Sequence, residues 1–297
     1  MKLWTRFVDP ESSDPRRFFG RAANFAVLAL SAFVLAGCIN RMPTVPALGD
    51  SGEYAHGKVV WHDLVTPNIG RAKQFYTDLF GWTYEDLSRG YTLVRNNGRL
   101  IGGFAQLDAR GQQSHWLALV SVNDVNRTVA ETTAAGGDTL LAPFDLPDRG
   151  RVAVLEDPQG AAFGVVHATA GDPVDRQPAT NEWLWNEVWT DDLSAASRFY
   201  QQLLGYVEAE RTLHGVQYHY FKRDGKPRLG LIEKPSPAIG NTWVAYVRVA
   251  SVADIAEKVE ALGGALLMAP RPDVRKGKVA IIADPNGAGL VIQEWHL

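Results

Sequence analysis

The sequence predicts an α+β fold of two tandem modules, each a pair of βαβββ units forming an open eight-stranded cup with helices outside. Three observations lead there. WHDLVTPNIGRAKQFY (61–76) returns as WNEVWTDDLSAASRFY (185–200), with Trp61 on Trp185, Thr66 on Thr190 and Phe75-Tyr76 on Phe199-Tyr200. The second halves also repeat: Trp116 matches Trp243, Gly136-Gly137 match Gly263-Gly264, and Asp157-Pro158 match Asp284-Pro285. Within each module the apolar period switches from strand-like to helix-like in the same order twice.

The elements follow in turn. WHDLVT reads as a strand. NIGRAKQFYTDLFG reads as a helix, because Ile69, Ala72, Phe75, Tyr76 and Leu79 recur at three- and four-residue steps. WTYEDL, YTLVRN and RLIGGFAQL are the three strands of the first unit. The order then restarts with the strand WLALVSV and the helix DVNRTVAETTAAGG, which its glycines end. DTLLAP, GRVAVLED and AAFGVVH complete the module. Module 1 spans 57–168 and module 2 spans 182–297. TAGDPVDRQPATN (169–181), with its glycine and two prolines, joins them as a linker.

A length of 297 residues with 46% hydrophobic content suits two cores. The formal charge of −3 offers none of the basic field that nucleic acid requires. The apolar run FAVLALSAFVLA (25–36) suits a signal-peptide core, and LAGC (35–38) resembles the bacterial lipoprotein cleavage box. Residues 1–37 are therefore expected to be a signal peptide and Cys38, the sole cysteine, a lipidation site. An uncleaved anchor over 22–39 is the rival reading. Arg16-Arg17-Phe18-Phe19 resembles the twin-arginine export pattern, with Pro15 where Ser or Thr is usual. Cleavage would remove five basic and three acidic residues and take the formal charge from −3 to −5. Membrane attachment would then come from the lipid alone, in the bacterial cell envelope. Residues 38–56, with two prolines and two glycines, read as a tether reaching roughly 55–60 Å at full extension.

FYTDLFGW (75–82), FYQQLLGY (199–206), DPQG (157–160) and DPNG (284–287) in this order resemble the vicinal oxygen chelate superfamily. That group holds glyoxalases, bleomycin-resistance proteins and extradiol dioxygenases. The resemblance covers nearly all of 57–297 and is greatest to its tandem, glyoxalase-like members. It implies one divalent metal in a cup, held by His, Gln or Glu. The first-strand ligand position falls on Trp61 and Trp185, and the last-strand glutamate position on Gly164 and Val291. The fifth-strand position falls near Leu117 and Val244. None of these can ligate; indole is a donor only. His62 is one residue out of register and so belongs to the opposite face of its strand. His115 has cup parity and is the one stray metal candidate, without partners. The expectation is a cup without metal and a protein without a cofactor.

The same parity assigns the cup lining. Trp61, Asp63 and Val65 line module 1. Trp185, Glu187, Trp189, Tyr246, Arg248 and Gln293 line module 2, with Arg248 able to face Glu187. Aromatic walls with a few polar groups suit a small-molecule site, and module 2 is the richer. The leading reading is a tethered protein that binds a small molecule through Trp61, Asp63, Trp185, Glu187, Trp189, Tyr246, Arg248 and Gln293. Alternatives are a metal-free enzyme with Asp63 or Glu187 as general base, a metal-dependent lyase or dioxygenase as the resemblance implies, and a non-catalytic partner-binding lipoprotein whose cups are filled by their own side chains.

Overall fold

The structure is a computed structural model that describes residues 44–87, 90–107, 113–213 and 216–295. The signal, Cys38 and residues 38–43 lie outside the described residues.

Module 1 runs β1 (Val59–Thr66), α1 (Ile69–Phe80), β2 (Thr83–Leu87), β3 (Tyr91–Asn96) and β4 (Arg99–Gln106). It continues with β5 (His115–Ser121), α2 (Val125–Ala134), β6 (Asp138–Leu146), β7 (Gly150–Glu156) and β8 (Ala162–Ala168). Module 2 repeats this order. Its first unit is β9 (Trp183–Thr190), α3 (Leu193–Leu204), β10 (Val207–Leu213), β11 (Val216–Arg223) and β12 (Lys226–Glu233). Its second is β13 (Thr242–Val249), α4 (Val252–Val259), β14 (Ala265–Met268), β15 (Val279–Ala283) and β16 (Gly289–Glu294). Each module is one eight-stranded sheet, ordered β2-β3-β4-β1-β5-β8-β7-β6 and β10-β11-β12-β9-β13-β16-β15-β14. The two βαβββ units of each sheet join through the antiparallel pairs β1–β5 and β9–β13. The fold class read from the sequence is the fold observed.

Local chemistry sets the helix ends. Asn68 Oδ1 accepts from Arg71 N at the start of α1, and Asp192 Oδ1 from Ala195 N at the start of α3. Gly81 and Gly205 close these helices in the left-handed region, at φ 73° and 62°, which glycine adopts without steric cost.

The convex, helix-bearing faces of the two modules meet each other. Phe75 and Leu79 of α1 share a core with Val252, Val259 and Ile282 of module 2. Phe199 and Tyr200 of α3 share another with Val120, Leu155 and Phe163 of module 1. Two crossed hydrogen-bond chains run through these cores. Trp243 Nε1 donates to Tyr200 OH at 2.8 Å, and Tyr200 OH donates to Asp157 Oδ2 of the other module at 2.8 Å. Trp116 Nε1 donates to Tyr76 OH at 3.0 Å, and Tyr76 OH reaches Asp284 Oδ2 at 3.4 Å. The second oxygen of each aspartate holds its own DPxG turn: Asp157 accepts from Gln159 N and Ala161 N, and Asp284 from Asn286 N and Ala288 N.

His62 lies on this shared face, as its register requires. It is buried, its Nε2 donates to Asn186 Oδ1 at 2.9 Å, and its ring stacks on Trp183 at 4.1 Å. Asn186 occupies in module 2 the position of His62 in module 1, so two repeat-equivalent side chains bond to each other across the interface.

Residues 44–56, expected as free tether, pack on module 1. Val45 is buried in its cup, and Asp172 N donates to Glu53 O at 2.7 Å. The apolar Val45 and Leu48 give this stretch a reason to bind that its prolines and glycines hid. The linker is also held. Asp172 is buried and its carboxylate accepts from Ala55 N and Ser121 Oγ.

Burial lowers the His62 pKa from 6.5 to about 4. The unfolded chain binds the proton more readily between these values, so His62 contributes stability that is full above pH 6.5 and lost as pH falls through 4. Asp284, raised by burial to about 6, acts oppositely, losing stability as pH rises from 3.8 through 6. His62→Asn, which makes the pair symmetric, is expected to lose less stability between pH 6.5 and 4 than the wild type. Urea unfolding midpoints across that range check this; equal pH slopes would refute it.

Candidate functional site

Each cup is built around one carboxylate on the central strand, held by an indole and a tyrosine. In module 2, Trp185, Glu187 and Trp189 alternate along β9 and face the cup together. Glu187 is fully buried. Its Oε1 accepts from Tyr218 OH at 2.8 Å and from Arg275 Nη2 at 3.0 Å. Its Oε2 accepts from Trp189 Nε1 at 3.1 Å and from Tyr246 OH. Four donors occupy the four lone-pair positions a carboxylate has. Arg275 also donates to Gln293 Oε1, and Trp185 Nε1 donates to Tyr218 OH at 2.7 Å. The counter-charge of Glu187 is thus Arg275. Arg248, expected opposite Glu187, instead donates to Pro178 O of the linker at 2.7 Å, because it sits at the end of β13 where the linker crosses.

In module 1, Asp63 Oδ1 accepts from Trp61 Nε1 at 2.8 Å and from Tyr91 OH at 2.6 Å. Arg149 Nη1 donates to Tyr91 OH at 3.0 Å, and its guanidinium lies 4.1 Å from the Trp61 ring centroid. Burial raises the Asp63 carboxyl, with Arg149, Tyr91 and Trp61 pulling the other way. Burial pushes Tyr91 well up. Arg149 is itself buried, and its Nη2 has no hydrogen-bond partner. A cavity of about 70 Å³ opens beside it, bounded by Asp63, Tyr91 and Arg149 at one end. Val45, Val65, Leu117, Leu119, Phe144 and Val152 are among its walls.

The repeat explains why one cup is filled and the other hollow. Where module 2 has Trp189, Tyr246 and Gln293, module 1 has Val65, Leu119 and Val166. Each exchange removes volume and a polar partner from module 1. Asp63 is also one methylene shorter than Glu187. Gly103 and Gly230 make both arrangements possible. A Cβ at Gly103 would lie 2.0 Å from Tyr91 OH and 2.5 Å from Asp63 Oδ1; at Gly230 it would lie 2.1 Å from Tyr218 OH.

The metal implied by the resemblance does not fit these cups. Trp61 and Trp185 use their only N–H on protein acceptors. A Cβ at Gly164 would already meet Leu119 at 2.9 Å, and Val291 is buried apolar core. His115 is a half-buried imidazole whose pKa desolvation lowers to about 4, and its Nε2 is unpartnered. Among the described residues, no set of three metal-ligating groups includes it or lies in either cup.

Sequence parity placed Trp61, Asp63, Trp185, Glu187, Trp189, Tyr246 and Gln293 correctly on cup faces. It missed Tyr91, Tyr218, Arg149 and Arg275. The signals were present: Tyr91 and Tyr218 are 127 residues apart, as Trp116 and Trp243 are, and PDR (147–149) and PDVR (272–275) repeat in the two hairpin loops.

A tandem βαβββ fold with paired cups defines the class, and comparison with known proteins gives the family. The chain belongs to the Glyoxalase/Bleomycin resistance protein/Dioxygenase superfamily, whose family model matches residues 58–165 and 184–292. It is 31% identical over 245 residues to the putative glyoxylase CFP32 of Mycobacterium tuberculosis, covering 80% of this chain and 94% of that protein. It is 29% identical over 260 residues to the anthracycline biosynthesis protein DauV of Streptomyces sp. strain C5, covering 81% and 94%. Among solved structures, a variant of homoprotocatechuate 2,3-dioxygenase from B. fuscum matches with a TM-score of 0.56 at 15% identity, covering 87% of this chain and 75% of that one. The Mn(II)-bound glyoxalase from Novosphingobium aromaticivorans matches with a TM-score of 0.54 at 14% identity, covering 80% and 82%. At these identities the two structures share the fold with this chain.

Glu187→Gln replaces one acceptor oxygen by an amide donor facing Arg275 and the phenols. It is expected to destabilise the protein by about 3–5 kcal/mol, the scale for breaking a buried ion pair. Asp63 accepts from neutral donors, Trp61 and Tyr91, so Asp63→Asn is expected to cost about 1–3 kcal/mol. Denaturant unfolding of the two variants measures the difference; equal losses would contradict the assignment.

Proposed function

We propose that the protein is a membrane-tethered binder that holds a small molecule in cup 1 without a metal. The observation that carries the reading is that Arg149, whose buried Nη2 has no hydrogen-bond partner, lines a cavity with Asp63, Tyr91 and otherwise mainly apolar side chains. An orphaned charged donor costs free energy that an acceptor oxygen on a ligand would offset. The fitting ligand has an apolar body and a carbonyl or carboxylate end. A cavity that admits benzene measures roughly 150 Å³, so at about 70 Å³ the cup takes such a ligand only if Val45 yields its place. Membrane tethering rests on the LAGC box at 35–38. A second reading is supported by one further observation. Burial raises the Asp63 carboxyl beside the same cavity, which suits a metal-free general base.

Benzoate and benzamide, followed by saturation-transfer NMR, test the binding reading. Both are expected to bind, more tightly to Val45→Ala, and at least about ten-fold more weakly to Arg149→Met, the scale of a charge-assisted hydrogen bond. Silence in both wild type and Val45→Ala, or binding indifferent to Arg149→Met, would overturn it.

Intact-mass analysis of the membrane fraction tests the tether. Protein beginning at an acylated Cys38 is expected, and Cys38→Ala should lack the acyl mass. Wild-type protein that keeps residues 1–37, or carries a free Cys38 thiol, would rule it out.

A further inference from the structure

We propose that Glu208, Glu210 and His219 form a site for a divalent ion of the zinc class on the outer face of module 2, separate from both cups. Glu210 pairs in register with His219 across β10 and β11, and Glu208 lies on the same face. The ligand atoms of all three lie within 4.8 Å of one another. His219 Nδ1 is 2.9 Å from Glu208 Oε1 and 3.5 Å from Glu210 Oε1. Phe221, on that same face, is buried in the core beneath α3, so the cluster looks toward the helix and away from the cup. Ser197 Oγ of α3 donates to Glu208, and Gln201 Nε2 donates to Ser197 Oγ at 2.8 Å.

The other module shows what this place requires. Where module 2 has Ser197, Glu208, Glu210 and His219, module 1 has Lys73, Tyr84, Asp86 and Thr92. There a single carboxylate is neutralised from within: Lys73 pairs with Asp86, which also accepts from Thr92 Oγ1 at 2.6 Å. Module 2 lacks the lysine, has a second carboxylate and adds an imidazole. Among the described residues no Lys or Arg pairs with Glu208 or Glu210. The basic strand residues Arg211 and Lys222 lie over the rings of Tyr218 and Tyr220 on the opposite face. Two carboxylates on one face repel unless a cation joins them. A bound ion would replace the ammonium that module 1 builds in.

The donor set selects the ion. Two carboxylate oxygens and one imidazole nitrogen suit zinc, cobalt or nickel better than magnesium or calcium. Bonds of about 2.0–2.2 Å are reached by closing the two glutamate side chains onto the ion. All three side chains are partly exposed, which leaves coordination positions for water.

Isothermal titration of the metal-stripped protein with zinc chloride tests the site. Saturable binding of zinc is expected, with magnesium chloride giving none. His219→Ala and Glu210→Gln should each weaken zinc by at least about ten-fold while leaving the metal-free melting temperature unchanged. Ser197→Lys, which restores the ammonium of module 1, should do the same to zinc. Should one variant fail to fold, the others keep the test. No saturable zinc binding, binding undiminished in both His219→Ala and Glu210→Gln, or equal affinity for magnesium would overturn the proposal.

Discussion

The architecture depends on the crossed tyrosine–aspartate bonds between the modules. Tyr200 reaches Asp157 and Tyr76 reaches Asp284, so each module's helix completes the turn that opens the other's last strand. These groups are buried and satisfied mainly by each other and by their own DPxG turns, where an unmade hydrogen bond is costly. A one-module fragment would expose Phe75, Phe199 and their neighbours, and would leave both aspartates without the tyrosine. The FY and DPxG motifs are therefore the two halves of one contact. His62 and Asn186 bond across the same contact.

Because the convex faces are consumed in this contact, the concave faces are free to diverge. Cup 2 keeps Trp189, Tyr246 and Gln293 and surrounds Glu187 with donors until no lone pair is spare. Cup 1 replaces those residues with Val65, Leu119 and Val166 and keeps its arginine, Arg149, with an unused donor. The hollow cup is the one with smaller side chains. Wall chemistry and free volume are separate properties of a cup. In cup 2 the aromatic and polar groups satisfy one another and leave the carboxylate nothing to offer. The same divergence on the outer face exchanges Lys73 for Ser197 and leaves two carboxylates beside an imidazole.

The sequence by itself determined the order and type of the elements, because the apolar period and the internal repeat are local signals. It also determined which residues share a strand face, since alternation is a property of the backbone: Trp61 and Asp63 turn to the cup, and His62 and Leu64 away. Only the tertiary structure decided what those faces meet. Arg149 and Arg275 come from hairpin loops far along the chain, and a loop has no period that would reveal its direction. Arg248 had the right parity and the wrong height on its strand, so the linker took it. Val45 entered cup 1 as one of several contacts that together hold the stretch: Leu48 packs on the same core, and Glu53 and Ala55 hydrogen-bond to Asp172. Such contacts depend on distances between segments remote in sequence, and folding sets those distances.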